Sequence, residues 1–132
     1  MLVPVISLDE ENITEVPAVV TAIANLAPDM HLMGRKPLET VRVYEWMNWL
    51  SAVLHNQGFG CLLRPQRFSH EPAAFDGIKA KGLQCIEDCF DIIEENLTGI
   101  YAVGDALTVV DPYLFVFCKS FSNKLFSCRG AF

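Results

Sequence analysis

The residues here that could do chemistry are few: five cysteines, three histidines and scattered carboxylates. Cys61, Cys85, Cys89, Cys118 and Cys128 are odd in number and unevenly spaced. Cys85 and Cys89 stand one helical turn apart, but there is no CxxC pair and no Cys/His spacing of the kind zinc requires. No metal site is therefore expected. The thiols read as reduced and mostly buried, as in a cytoplasmic protein. His31 and His70 lie in polar connecting stretches and read as solvated. Glu15, judged by residue type alone, is an ordinary acid in the first turn of a helix.

The most legible local motif is Thr108-x-x-Asp111. A threonine hydroxyl there accepts from the Asp111 backbone N–H, while the Asp111 carboxylate reaches back to the Thr108 N–H, the reciprocal capping box. The segment that follows is so apolar that the carboxylate is expected to be buried, which only such pairing permits. Thr108 and Asp111 are thus a folding element and not a catalyst.

The elements that carry these residues follow from hydrophobic spacing. Leu2 to Leu8 is β-prone, Asp9-Glu10-Glu11-Asn12 is a polar turn, and Ile13 begins a second apolar stretch, which together predict a hairpin. Thr14 is placed to cap a helix near 14–25 with Glu15 and Pro17 in its first turn and Val16, Val19, Val20 and Ile23 on its apolar face. After a linker to Lys36, Pro37 opens a helix near 38–57 with a stripe of Val43, Trp46, Met47, Leu50 and Leu54. Gly58-Phe59-Gly60 breaks or kinks it. A third helix near 72–97 repeats Leu83, Ile86, Phe90, Ile93 and Leu97. A fourth, near 108–118, is almost wholly apolar. Trp46, Leu50, Phe90, Ile93 and Leu114 are expected to be buried.

At 132 residues and 52% hydrophobic content, with nine Phe, the chain can bury a core as one domain or one domain with an appendage. A net charge of −6 disfavours nucleic acid and anionic membrane surfaces as partners. Met1 to Leu8 lacks a basic start, contains Pro4 and runs into Asp9-Glu10-Glu11, so it does not read as a secretion signal. No run approaches the roughly 18 apolar residues of a membrane span. Lys119 to Phe132 departs from the rest: it carries three basic residues and no acid, and reads as an atypical tail, poorly ordered or foreign, with a short final helix as the alternative.

Three blocks, in order, resemble one family. Tyr101-Ala102-Val103-Gly104-Asp105-Ala106-Leu107-Thr108-Val109-Val110-Asp111-Pro112-Tyr113-Leu114 resembles the "YLxGDxFTVADAYL" signature of the glutathione transferase C-terminal domain. Glu45-Trp46-Met47-Asn48-Trp49-Leu50, then Leu54-His55 and Gly58-Phe59-Gly60, is similar to the "EWLNFI…ELHxGFGPLFRP" helix of bacterial, beta-like transferases and their fungal relatives. Val3-Pro4-Val5, followed by Ile13-Thr14-Glu15-Val16-Pro17-Ala18-Val19, resembles "VPxL…LTEGPAI" of the family's thioredoxin-like domain. The resemblance spans residues 2 to 118.

What the resemblance implies is specific. The fold would be mainly α: a transferase C-terminal-type helical bundle preceded by a β-hairpin and helix from a partial thioredoxin-like domain. Residues 1–27 would be that partial domain, 28–36 a linker, 37–118 the helical domain and 119–132 the tail. Val3, before a prolyl bond at Pro4 that tolerates the cis form, would offer its backbone to the cysteinyl part of glutathione. Glu15 would take the γ-glutamyl ammonium, and the Val16 N–H its carboxylate at a positive helix terminus. His55 matches a histidine that beta-like enzymes bring toward the sulfur, and is either a partner for the thiolate or a polar helix-end residue. Asn56, where relatives carry Lys or Thr, brings no charge, and Phe59 would help line the substrate cleft.

Two departures temper this. The chain begins at the "VP" block, so the strand, helix, strand and helix that carry the family's thiolate-stabilising Tyr, Ser or Cys are not in it. The match also ends after Cys118, where relatives continue with "RWG". The expectation is a truncated transferase whose activity, conjugation of glutathione to an apolar electrophile with no cofactor beyond that co-substrate, is impaired. The alternative is a non-catalytic binding or dimerisation module, or an unproductive fragment. As a partner, a second copy or a full-length relative is expected.

Overall fold

The computed structural model describes residues 4–97 and 99–128, with 121–128 described by backbone alone. β1 (Val5–Leu8) and β2 (Glu11–Thr14) pair antiparallel, with Val5 opposite Thr14 and Leu8 opposite Glu11. Only Asp9 and Glu10 therefore make the connection, both at positive φ (47° and 67°). That is the geometry a two-residue hairpin loop needs to match the strand twist. The turn is tighter than the four-residue stretch expected.

α1 (Val16–Asn25) starts later than its sequence suggests. Thr14 does not cap it, because pairing with Val5 holds Thr14 extended in β2. Glu15 instead stands immediately before the helix, at φ 69° and ψ 128°, with no side-chain cap hydrogen bond. Val19 is buried on the inner face, Val16 and Val20 are half-buried, and Ile23 is exposed.

A 3-10 turn at Pro28–Met30 and a linker lead to α2 (Pro37–Trp49). Glu39 ties the linker to this helix: its carboxylate accepts from the Arg35 N–H (2.8 Å) and the Lys36 N–H (3.3 Å). Gly34, at φ 93°, passes so close that an added Cβ would lie 2.6 Å from the Glu39 Cβ. The Arg35 amide, chiefly, holds the Glu39 carboxyl below its ordinary value.

The Gly58-Phe59-Gly60 stretch does not end the helix. α2 runs on as a widened, π-helical stretch, Leu50–Gly60, and then one more turn, α3 (Cys61–Leu63). Gly58 serves the crossing with α4 (Phe75–Asn96). A Cβ on Gly58 would come within 2.8 Å of Ile86 Cγ1, and one on Gly82 within 2.8 Å of the Gly58 carbonyl, the Leu62 amide and the Cys61 Cβ. Residues that read as breakers in isolation are here the condition for close packing.

Val43, Met47, Leu50, Leu54 and Phe59 from the α2–π run, Ile86, Cys89 and Ile93 from α4, and Val110, Leu114 and Phe117 from α5 (Val110–Cys128) form the core. Of the five residues expected inside, Leu50, Ile93 and Leu114 are buried. Trp46 and Phe90 are only half-buried, because their neighbours Met47 and Cys89 take the central positions. Leu83, also on the expected stripe, is exposed.

The head of α5 is closed by Asp111. Its Oδ2 accepts from the Thr108 N–H (2.7 Å) and stands 3.2 Å from the Thr108 hydroxyl, while its Oδ1 accepts from the Ala102 N–H (2.8 Å). The Thr108 hydroxyl accepts from Val110 N–H (3.3 Å) instead of the Asp111 N–H that a regular capping box would use. Val109 N–H donates to Leu32 O (2.9 Å), which fastens the linker to the same point. The α5 backbone stays helical to Cys128, where a loosely ordered tail is expected from composition. No Gly or Pro interrupts 119–128, and Ser120 Oγ donates back to Val116 O (2.8 Å). Among the described residues no helix is long and apolar enough to cross a membrane.

Candidate functional site

The Phe117 ring gathers two of the candidate residues, His55 and Phe59. The π-helical stretch presents Ser51, His55 and Phe59 at four-residue steps, and α5 presents Tyr113 and Phe117 at the same step. The Phe117 ring lies 5.2 Å from Tyr113, 5.6 Å from Phe59 and 5.9 Å from His55, centroid to centroid. Phe59 and Phe117 are buried, Tyr113 is half-buried and His55 is exposed, so the wall grades from an apolar floor to a polar lip. Tilted ring pairs at these distances are the arrangement aromatic quadrupoles favour.

The charge of Glu15, at the head of α1, is felt at the Tyr113 end of this wall. The Tyr113 hydroxyl is buried beside Ser51, yet no group stands in full hydrogen-bonding geometry to it. Burial pushes the phenol up, the Ser51 hydroxyl acts the other way, and the Glu15 charge adds to the upward push. Glu15 therefore lies near enough to Tyr113 for its charge to be felt there. Its carboxylate makes no ion pair or side-chain hydrogen bond among the described residues, and its backbone carbonyl accepts from Val19 N–H (2.9 Å). Its positive φ is strained for a residue with a Cβ, and such strain concentrates at binding and catalytic positions.

The sequence-derived candidates separate as follows. His55 and Phe59 border this region, Glu15 reaches it only through its charge at Tyr113, and Val16 is the half-buried first residue of α1. Pro4 and Asn56 are exposed. Val3 lies outside the described residues. Thr108 and Asp111 lie at the head of α5 and bond to each other there. Ser51, Tyr113 and Phe117 were not singled out by sequence. Their signal was the four-residue spacing shared with His55 and Phe59, which spacing alone assigns to core. A groove of about 240 Å³, lined by Arg42, Glu45, Trp46, Trp49, Ile92 and Asn96, lies on the α2–α4 surface and includes none of the candidates. Trp46 and Trp49 meet edge to face there, 5.9 Å apart.

No protein-family profile matches the sequence, and no curated protein is similar to it. Solved structures are similar. A glutathione transferase homologue from Sulfitobacter, with bound glutathione, superposes with a TM-score of 0.85 over 92% of this chain at 26% identity. BphK, a bacterial glutathione transferase seen in a ternary complex, gives 0.73 over 89% at 29% identity. A glutathione S-transferase from the yeast Pichia kudriavzevii gives 0.68 over 89% at 18% identity, a likeness of fold alone. The chain has the glutathione transferase fold, with a two-stranded hairpin ahead of its helical part. It spans 59% of the Sulfitobacter protein and 56% of each of the others.

Proposed function

We propose that this chain is a glutathione-binding unit of the transferase type, whose parent chemistry is attack of the glutathione thiolate on an apolar electrophile. The observation that carries the reading is Glu15: a residue at strained positive φ before an uncapped helix, its carboxylate unpaired among the described residues and its charge felt at Tyr113. Glu15 would take the γ-glutamyl ammonium, and the Val16 N–H its carboxylate. Pro4 and Val3 would hold the cysteinyl backbone. His55, at the exposed lip, would stand toward the sulfur, with Phe59 behind the electrophile and Asn56 at the cleft's rim. That glutathione lies in the Sulfitobacter homologue supports the ligand class.

The 132-residue chain expressed by itself should conjugate glutathione poorly. An unperturbed thiol has a pKa of about 8.5 and stays mostly protonated at neutral pH. Among the candidates only His55 is placed to change that, and no protein hydrogen bond among the described residues orients it. The assay is turnover of an aryl halide. Little or none is expected, while rapid turnover abolished by His55→Ala would make His55 the catalytic residue and overturn the impaired reading.

A second reading, a dimerising module without turnover, is favoured by the apolar surface of α1, α2 and the turn between them. Ile23, Leu26, Met30, Leu38, Val41 and Tyr44 are all exposed there. Such a cluster on adjacent elements suits a second copy or a longer relative in the cytoplasm. Light scattering should show a dimer, and a monomer at high micromolar concentration would defeat this reading.

A further inference from the structure

The groove on the α2–α4 surface has no part in the glutathione reading, and indoles wall it. Both tryptophans of the chain line it. Trp46 and Trp49, each half-buried, stand at 87° to one another with ring centroids 5.9 Å apart, so two indoles form the sides of one corner. Ile92, 43% exposed, supplies an apolar wall from α4.

The charges around this corner leave one sign in excess. Arg42 and Glu45 also line the groove, and they satisfy each other: the guanidinium Nη1 donates to Glu45 Oε2 at 2.6 Å. Asp88 and Glu95 stand four residues before and three after Ile92, the steps that share a helix face. From Ile86 to Asn96, α4 carries five acidic residues and no basic one, while Lys79 and Lys81 lie in its first half. The field over the groove is therefore negative.

We propose that this groove binds a small organic cation of the methylated ammonium class, seated in the corner of Trp46 and Trp49. The face of an aromatic ring is the negative end of its quadrupole, and indole offers the best such face among the side chains. A methylated ammonium suits the corner because its charge is spread over apolar methyl groups, which also pack against Ile92. A primary ammonium loses more hydration on entry, and the one carboxylate in the lining, Glu45, is already engaged by Arg42. An anion would meet the negative ring faces and would have to draw Arg42 off Glu45.

The test is a titration of the full chain with acetylcholine as the probe, beside its uncharged isostere, in which a tert-butyl group replaces the trimethylammonium. Because no tryptophan lies elsewhere in the chain, intrinsic tryptophan emission reports on this groove alone. The N-methyl proton resonance should also move upfield, as protons held over an indole face do. The isostere should bind about ten-fold more weakly, the scale of a cation against aromatic faces. Two exposed substitutions should then move the affinity in opposite directions at low salt. Arg42→Gln frees the Glu45 carboxylate and should tighten the probe about two- to five-fold. Glu45→Gln frees the guanidinium and should weaken it by a similar factor, and both differences should shrink as salt rises. Trp49→Leu should abolish binding, and the two charge variants keep the assignment testable should that one fold poorly. Saturating glutathione should leave the probe in place, so the groove stands or falls apart from the glutathione reading. Equal binding of the isostere, the same direction of change in both charge variants, displacement by glutathione, or no response of the tryptophan emission and the N-methyl resonance would each overturn the proposal.

Discussion

The heads of α1 and α5 are built oppositely. At α5, one carboxylate answers two backbone amides and a hydroxyl, and Thr108 is 3% exposed. At α1, no side chain caps the helix, the preceding residue is strained at φ 69°, and its carboxylate is exposed and unpaired. Unsatisfied amides at a helix start need a partner from somewhere. A terminus closed by its own chain is structure; one left open at the cost of strain is a place for an anionic ligand group. The contrast separates the cap of α5 from the binding role assigned to α1, although both are an acid beside a threonine.

The largest effect should come from breaking the closed end. Asp111→Ala leaves the Ala102 and Thr108 amides without their acceptor, and should cost about 2 kcal/mol, the scale of a lost cap with a partly buried donor. A thermal or urea melt measures this, and an unchanged midpoint would remove the capping account. The glutathione affinity of the folded fraction should not change.

Opening the strain at the other end should act in the reverse direction. Glu15→Gly removes a side chain from a positive-φ position, so it should stabilise the fold by about 1 kcal/mol if strain relief outweighs glycine's added chain entropy. Glu15→Gln keeps the strain and isolates the charge. It should leave the melt near that of the wild type and weaken glutathione binding.

The smallest effect concerns Glu39, the acid that ties the linker to α2. Its carboxyl is held below the ordinary 4.5, chiefly by the Arg35 amide. A depressed folded-state value means that its stabilising contribution is fully present above about 4.5 and is lost as pH falls through the lower folded value. Melts of wild type and Glu39→Gln should therefore differ at pH 7 and converge in acid. A gap that widens on acidification would contradict the assignment.

Much of this was legible in the sequence. The hairpin, the order of the helices and the burial of Leu50, Ile93 and Leu114 follow from periodicity and turn residues. Trp46 and Phe90 did not, because they adjoin the core positions Met47 and Cys89 on the same apolar face, and periodicity cannot say which neighbour points to the centre. The π-widening was hidden since Gly58 looks like a breaker until Gly82 of α4 is seen against it. Glu15's positive φ was also invisible: it arises from Thr14 being held in the hairpin while Val16 already belongs to α1. The Ala102 bond to Asp111 depends on how the loop folds over. At the candidate site, Glu15, His55 and Phe59 came from family resemblance, whereas Ser51, Tyr113 and Phe117 needed coordinates.

The most direct test of the open-end account is a paired measurement on Glu15→Gly: a thermal melt, and a calorimetric titration with reduced glutathione beside the wild type. The account predicts opposite movements, a higher melting temperature together with glutathione binding weakened at least several-fold. Binding that matches the wild type, or a melt that falls while affinity is kept, would show that the strained carboxylate at the head of α1 is not there for a ligand.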